Sequence, residues 1–196
     1  MIQVTESKLH WNYFIALERD LEQIARFVEF SKGNFHTFSI ELAHLLFAAS
    51  SEIDVVGKAL CELLSASSPK ENIDHYRTII TTHLPELLKE KVHIHRYGLT
   101  LDPWQNWRRK SPLSPHWWNS YNKVKHHRNQ HYDKANLINA LNAMSGLLVT
   151  TFYYYRQVQY VKGGIIPQNK QLTSALEPPS TLLTLDASYY YDNLVV

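Results

Sequence analysis

The run from Tyr121 to His131, YNKVKHHRNQH, concentrates the side chains of this sequence that could do chemistry. If the run is helical, residues three and four apart share a face. Asn122, Lys125, His126 and Asn129 then form one neighbourhood, and Val124, His127, Arg128 and His131 form the adjoining one. A guanidinium can hold a phosphate or offset charge developing on it, and a neutral imidazole can accept a proton near pH 7. Together these are the parts of metal-independent RNA cleavage, in which a base activates the 2′-hydroxyl and a cation stabilises the phosphorane-like transition state. Arg128, His131, His126 and His127 are the catalytic candidates on this reading. The bland alternative is that the histidines are ordinary polar residues of a solvated helix.

The surrounding charge points the same way. From Trp104 to Lys134 there are seven cations and one acid, Asp133, a net of +6 in a chain whose formal charge is +2, so the remainder carries −4. Basic residues interleaved with tryptophan and tyrosine suit a single-stranded nucleic acid, the charges meeting phosphates and the rings meeting bases. Asn122, Lys125, Lys123, Arg108, Arg109 and Trp107 are therefore candidate nucleic-acid contacts. The competing reading is a solvated basic face with its tryptophans in the core.

Other chemistries find less support. His127 and His131, at i and i+4, could share a cation, but no second HxxxH or carboxylate motif nominates a further ligand, and His93-x-His95 is no better supplied. There is no GxxxxGK[ST], no GxGxxG, no HExxH, no CxxC and no GxSxG, so no metal and no cofactor are expected. The lone cysteine, Cys61, sits in an apolar stretch and reads as a small buried residue. With no internal disulfide possible and no basic, then apolar, leader at the N-terminus, the expectation is a reducing, cytoplasmic setting. The most apolar stretch, Leu141 to Tyr155, is interrupted by Asn142, Ser145, Thr150 and Thr151, so no membrane span is expected.

Elements that could position the run follow from periodicity. With 196 residues, 44% of them apolar, the chain is long enough to bury a core without disulfides. Apolar residues at spacings of three and four predict a helix over Lys8 to Phe30, stopped by Ser31-Lys32-Gly33-Asn34. A second helix from about Ser39 carries one stripe, Leu42, Leu46, Ala49, Ile53, Val56, Leu60 and Leu64. Ile73 to Thr82 predicts a shorter helix capped by Asn72 or Asp74, and Pro85 allows a further turn through Leu88. VHIHRYGLTL, from Val92 to Leu101, alternates and contains Gly98, which predicts a short strand or hairpin. The Pro- and Ser-containing stretch Asp102 to Pro115 reads as a loop held down by its tryptophans. Pro115, with Ser114 as cap, then opens a helix over His116 to His131. A last long helix spans Lys134 to Tyr160, closed by Gly163-Gly164. The fold class is thus all-α, an antiparallel bundle of about five helices with a short hairpin or strand insertion. Residues 1–162 form the helical domain, and 163–196 form a C-terminal appendage that lies on the bundle, adds an edge strand or serves a dimer partner.

The apolar helix with Glu52, Asp54 and Lys58 in SEIDVVGKALCELL, followed by WWNSYNKVKHHRNQHYDKANLINAL leading into the last helix, resembles the HEPN superfamily of all-helical domains in prokaryotic toxins, defence systems and nucleotide-binding modules. The YNxVKHxR run from Tyr121 to Arg128 carries most of the likeness, which extends from about Phe38 to Tyr155. The resemblance implies a homodimer whose paired sites act on RNA as an endoribonuclease, in a toxin or phage-defence context with an antitoxin or other protein partner. It equally admits a catalytically silent relative that binds RNA, a nucleotide or a protein. Active members place a histidine after four to six residues beyond an arginine. Here His131 follows Arg128 after two, and Asp133 stands at the four-residue gap; Arg77-x5-His83 fits the spacing but lies in the shorter connecting helix.

Overall fold

A computed structural model describes residues 7–191. Among them the chain is mostly helical, with α1 (Leu9–Ile24), α2 (Ile40–Leu64), α3 (Ile73–His83), α4 (His116–His131), α5 (Leu137–Gly163) and α6 (Asn169–Ala175). One small antiparallel sheet pairs β1 (Val92–Ile94) with β2 (Leu99–Leu101), in the register Val92 to Leu101 and Ile94 to Leu99. Gly98 supplies the left-handed backbone, φ 61°, that lets this hairpin turn. No helix among the described residues is long and apolar enough to cross a membrane.

The central pair is α2 against α5. The stripe on α2 is buried from Leu42 to Leu60, and the facing side of α5 buries residues along its first half, Leu137 to Tyr153. Side-chain caps set where these helices begin. Ser39 Oγ accepts from Leu42 N at 3.1 Å, Asn72 Oδ1 accepts from Asp74 N and His75 N at 3.0 Å, and Asn136 Oδ1 accepts from Asn139 N at 3.2 Å. Each satisfies a backbone donor that the first turn leaves without a partner. Gly164, at φ 70°, ends α5 as a left-handed cap.

Two boundaries differ from expectation. The first helix stops at Ile24, because Arg26 N and Phe27 N turn to the carbonyls three residues back, leaving Phe27 exposed while Phe30 returns to the core. Ser114 does not cap α4. Pro115 holds the cap position, and the Ser114 carbonyl instead accepts from the Asn106 and Asn119 amides at 3.0 and 3.4 Å. The loop before α4 is held by aromatic packing: Trp104 lies 4.3 Å from Trp107 and 5.4 Å from Trp117 between ring centroids, all three buried. Gly146 on α5 permits this approach, since a Cβ there would stand 3.2 Å from the Trp117 ring.

The segment after α5 shares the bundle's core. Leu172, Leu176, Leu182, Leu183, Leu185 and Tyr189 join the same buried cluster as α1, α2 and α5. Buried Glu18 of α1 clasps the segment, accepting from Thr181 N, Leu182 N and Leu183 N at 2.9–3.1 Å and from the Ser180 hydroxyl. The segment lies on the bundle, and its pairing with the hairpin is one bridge, in which His93 and Thr184 exchange backbone bonds of 2.8 and 3.0 Å beside β1. Tyr153 and Tyr189 both donate to Glu90, and burial pushes the ionisation of both phenols upward, so both remain neutral donors.

Candidate nucleic-acid interface

The YNKVKHHRNQH run lies on α4, as its spacing requires, but α4 is not one regular helix. His127 has φ −139° and ψ 47°, outside helical geometry, so the element breaks there before a last turn runs into the 3-10 turn Tyr132–Lys134. The i, i+4 grouping therefore holds only up to His126. Beyond the break, Arg128 and His131 are displaced from the faces that a straight helix would assign to them.

What pins the break is a small apolar cluster of Val124, Ala135 and Ala43, with Phe47 and Tyr132 partly buried against it. Val124 anchors the arm before the break to α2, and Ala135 anchors the chain after it. Arg128 lies over the Phe47 ring at 5.2 Å and Lys125 over the Tyr121 ring at 5.3 Å. At exposed sites such contacts contribute on the order of 0.5–1 kcal/mol, enough to orient the cations while leaving them in water. Lys123, Lys125, His126, His127 and Arg128 are all exposed, and Asn122 is half-buried. The His126 and His127 rings stand 6.5 Å apart. No hydrogen bond among the described residues joins Arg128 to a histidine.

The other candidates separate by environment. Trp107 is buried against Trp104 and offers no face to a base; the aromatic half of the expected surface went to the core, because a large apolar ring gains more there than in water. Arg108 is likewise committed to structure, bridging the Asp102 carboxylate and the Leu88 carbonyl. Arg109 remains exposed with Lys110 on the stretch before α4. Lys134 is paired to Asp133 at 2.8 Å, and this bond above all holds the exposed Asp133 carboxyl below its ordinary value, with the charges of Lys134 and His131 acting in the same direction. Asp133, which stands at the histidine position of the arginine-histidine spacing, is thus an ionised partner of Lys134 and not a proton acceptor near neutrality. Arg77 pairs with Asp74 at 2.7 Å on α3, away from the basic run.

Among the described residues no three His, Cys, Asp or Glu side chains converge as metal ligands. Cys61 is fully buried, and desolvation pushes its thiol up to about 12 against a weaker opposing effect of Lys70. No protein-family model matches this chain, and no curated protein or solved structure matches it either.

One feature near the basic run was not anticipated. Phe38 and Ile40, at 48% and 62% exposure, stand at the start of α2, and Phe38 meets Tyr132 edge-on at 5.4 Å. An apolar patch therefore adjoins the turn that carries Arg128. Its signal in the sequence, apolar residues flanking the Ser39 cap, was indistinguishable from the start of a core stripe.

Proposed function

We propose that this chain is a HEPN-like helical protein that acts on RNA through the far end of α4, and that two copies meeting there form a metal-independent ribonuclease. The supporting observation is the break at His127 inside an exposed basic run, which turns Arg128 onto Phe47 while His126, His127 and the half-buried His131 stay within one turn of it. Arg128 would offset charge on the phosphate, and one of the histidines would take the 2′-hydroxyl proton. One copy presents these groups on a ridge, so a second copy is needed to make the opposite wall of a cleft. The exposed Phe38 and Ile40 beside the ridge are suited to bury against that copy.

A second reading is favoured by one specific observation. Arg128 is spent partly on Phe47 and, among the described residues, is hydrogen-bonded to no histidine, which suits a relative that binds RNA without cutting it. Cleavage of a mixed-sequence single-stranded RNA in EDTA separates the two readings. If the wild type cuts and Arg128→Ala does not, with both folded, the ribonuclease reading holds, and His131→Ala then tests the base. If wild type binds in a salt-dependent manner without cutting, the silent relative is correct. If it neither binds nor cuts, both readings are wrong.

A further inference from the structure

Between the helical bundle and its C-terminal segment lies a pocket of about 200 Å³. Trp11 of α1 and Leu148 and Phe152 of α5 line it from the bundle, and Leu176, Leu185 and Tyr190 line it from the segment. Ser174 and Pro179, both in the lining and both exposed, mark its mouth. Two parts of the structure thus meet around a space that their own side chains leave unfilled, a common place for a small-molecule site.

What could enter follows from the lining. Among the described residues no charged side chain belongs to it. Its polar groups are engaged elsewhere: Trp11 Nε1 donates to the Pro178 carbonyl at 2.9 Å, Thr173 Oγ1 to the Tyr189 carbonyl at 2.7 Å, and the Ser180 hydroxyl to Glu18. The Tyr190 hydroxyl accepts from Leu185 N at 3.2 Å, and burial pushes its ionisation upward, so that it stays neutral. An ion brought to the floor of this pocket would find no partner, and its desolvation would go uncompensated. A neutral apolar group would instead gain by leaving water.

Size narrows the choice further. An apolar cavity of about 150 Å³ holds a benzene molecule. The slightly larger space here suits one ring or two fused rings, and it falls short of the roughly 300 Å³ at which pockets for drug-sized ligands begin. Three of the lining side chains, Trp11, Phe152 and Tyr190, are aromatic, and rings packed edge-on or offset against rings gain more than their buried area alone supplies.

We infer that this pocket is a binding site for a small neutral aromatic molecule of indole size. Because such a ligand touches both walls, it binds only while the segment is docked, and its binding holds the segment down. The inference does not rest on the RNA reading, which stands or falls on RNA binding and cleavage alone. Calorimetric titration of indole into the full chain should give one site per chain with Kd on the order of 0.1–1 mM. Hydrogen exchange in saturating indole should slow most across 172–190. Leu148→Phe, which adds a ring at the pocket wall, and Ser174→Trp, which places one at the exposed mouth, should each weaken indole about tenfold or more. Circular dichroism identifies the folded variants, and Ser174, being exposed, can be replaced without repacking the core. No binding at about 10 mM indole, protection centred away from 172–190, or unchanged affinity in a folded variant would overturn the inference. Tighter binding of N-acetyl-tryptophanamide than of indole would also overturn it, by assigning the pocket to the side chain of a partner protein.

Discussion

If RNA is held by α4 alone, the salt dependence of binding should count the three cations that α4 carries and not Arg109 and Lys110 on the stretch before it. Seven cations occupy Trp104 to Lys134, but Arg108 is bonded to Asp102 and Leu88, and Lys134 to Asp133. Of the rest, Lys123, Lys125 and Arg128 share α4. For a single strand the slope of log K against log salt is about −0.7 for each phosphate neutralised, so three cations give a slope of about −2 and all seven about −5. Raising salt from about 50 to 200 mM should therefore weaken binding about 20-fold on the three-cation account and close to 1,000-fold on the seven-cation account. Fluorescence anisotropy of a labelled single-stranded RNA over that range measures it directly. Lys125→Ala and Arg128→Ala should each flatten the slope by about 0.7, and Arg108→Ala should not change it in protein that remains folded. A slope near −5, or one that Lys125→Ala leaves untouched, would show that the ridge is not the phosphate-binding surface.

Two further outcomes follow from buried groups. Glu18→Ala would strip the acceptor from the buried N–H groups of Leu182 and Leu183, a loss of about 2–6 kcal/mol at about 1–3 kcal/mol each, limited by release of the segment into water. Urea unfolding should show that loss and hydrogen exchange should rise first at 181–185, whereas a change under about 0.5 kcal/mol would mean that the clasp is not what holds the segment. Burial also makes Cys61 sensitive to alkali: the unfolded thiol ionises near about pH 8.5, while the folded one stays protonated up to about 12. The unfolded state then binds fewer protons, so stability is intact below about pH 8.5 and falls as pH rises toward 12. By pH 10 the wild type should lose at most about 2 kcal/mol more than Cys61→Ala in denaturant titrations, and parallel curves for the two proteins would contradict this account.

Local rules carried much of the architecture. The α2 stripe and its start near Ser39, the Gly98 hairpin and the Gly163-Gly164 stop depend on neighbours within a few residues and are found where their spacing places them, and of the two cap candidates for α3, Asn72 and Asp74, it is Asn72 that caps. Ser114 is not the cap, since the helix starts one residue later with Pro115 at that position, and the Ser114 carbonyl accepts from Asn106, eight residues away. The C-terminal segment reads from sequence as an appendage on the bundle; that Leu182, Leu183 and Leu185 enter the shared core, and that Glu18 accepts from N–H groups there, depends on contacts distant along the chain.

The candidate site divides along the same line. Its residue types, its basic excess and its place on a helix were set by the order of amino acids alone, since charge and periodicity are local properties. Tertiary packing decided which members are available. It took Trp107 into the aromatic core, bound Arg108 to Asp102, and broke α4 at His127 between the anchors Val124 and Ala135. Each of these depends on elements distant in sequence meeting in space, where burial and hydrogen-bond satisfaction outweigh the preference of any single residue.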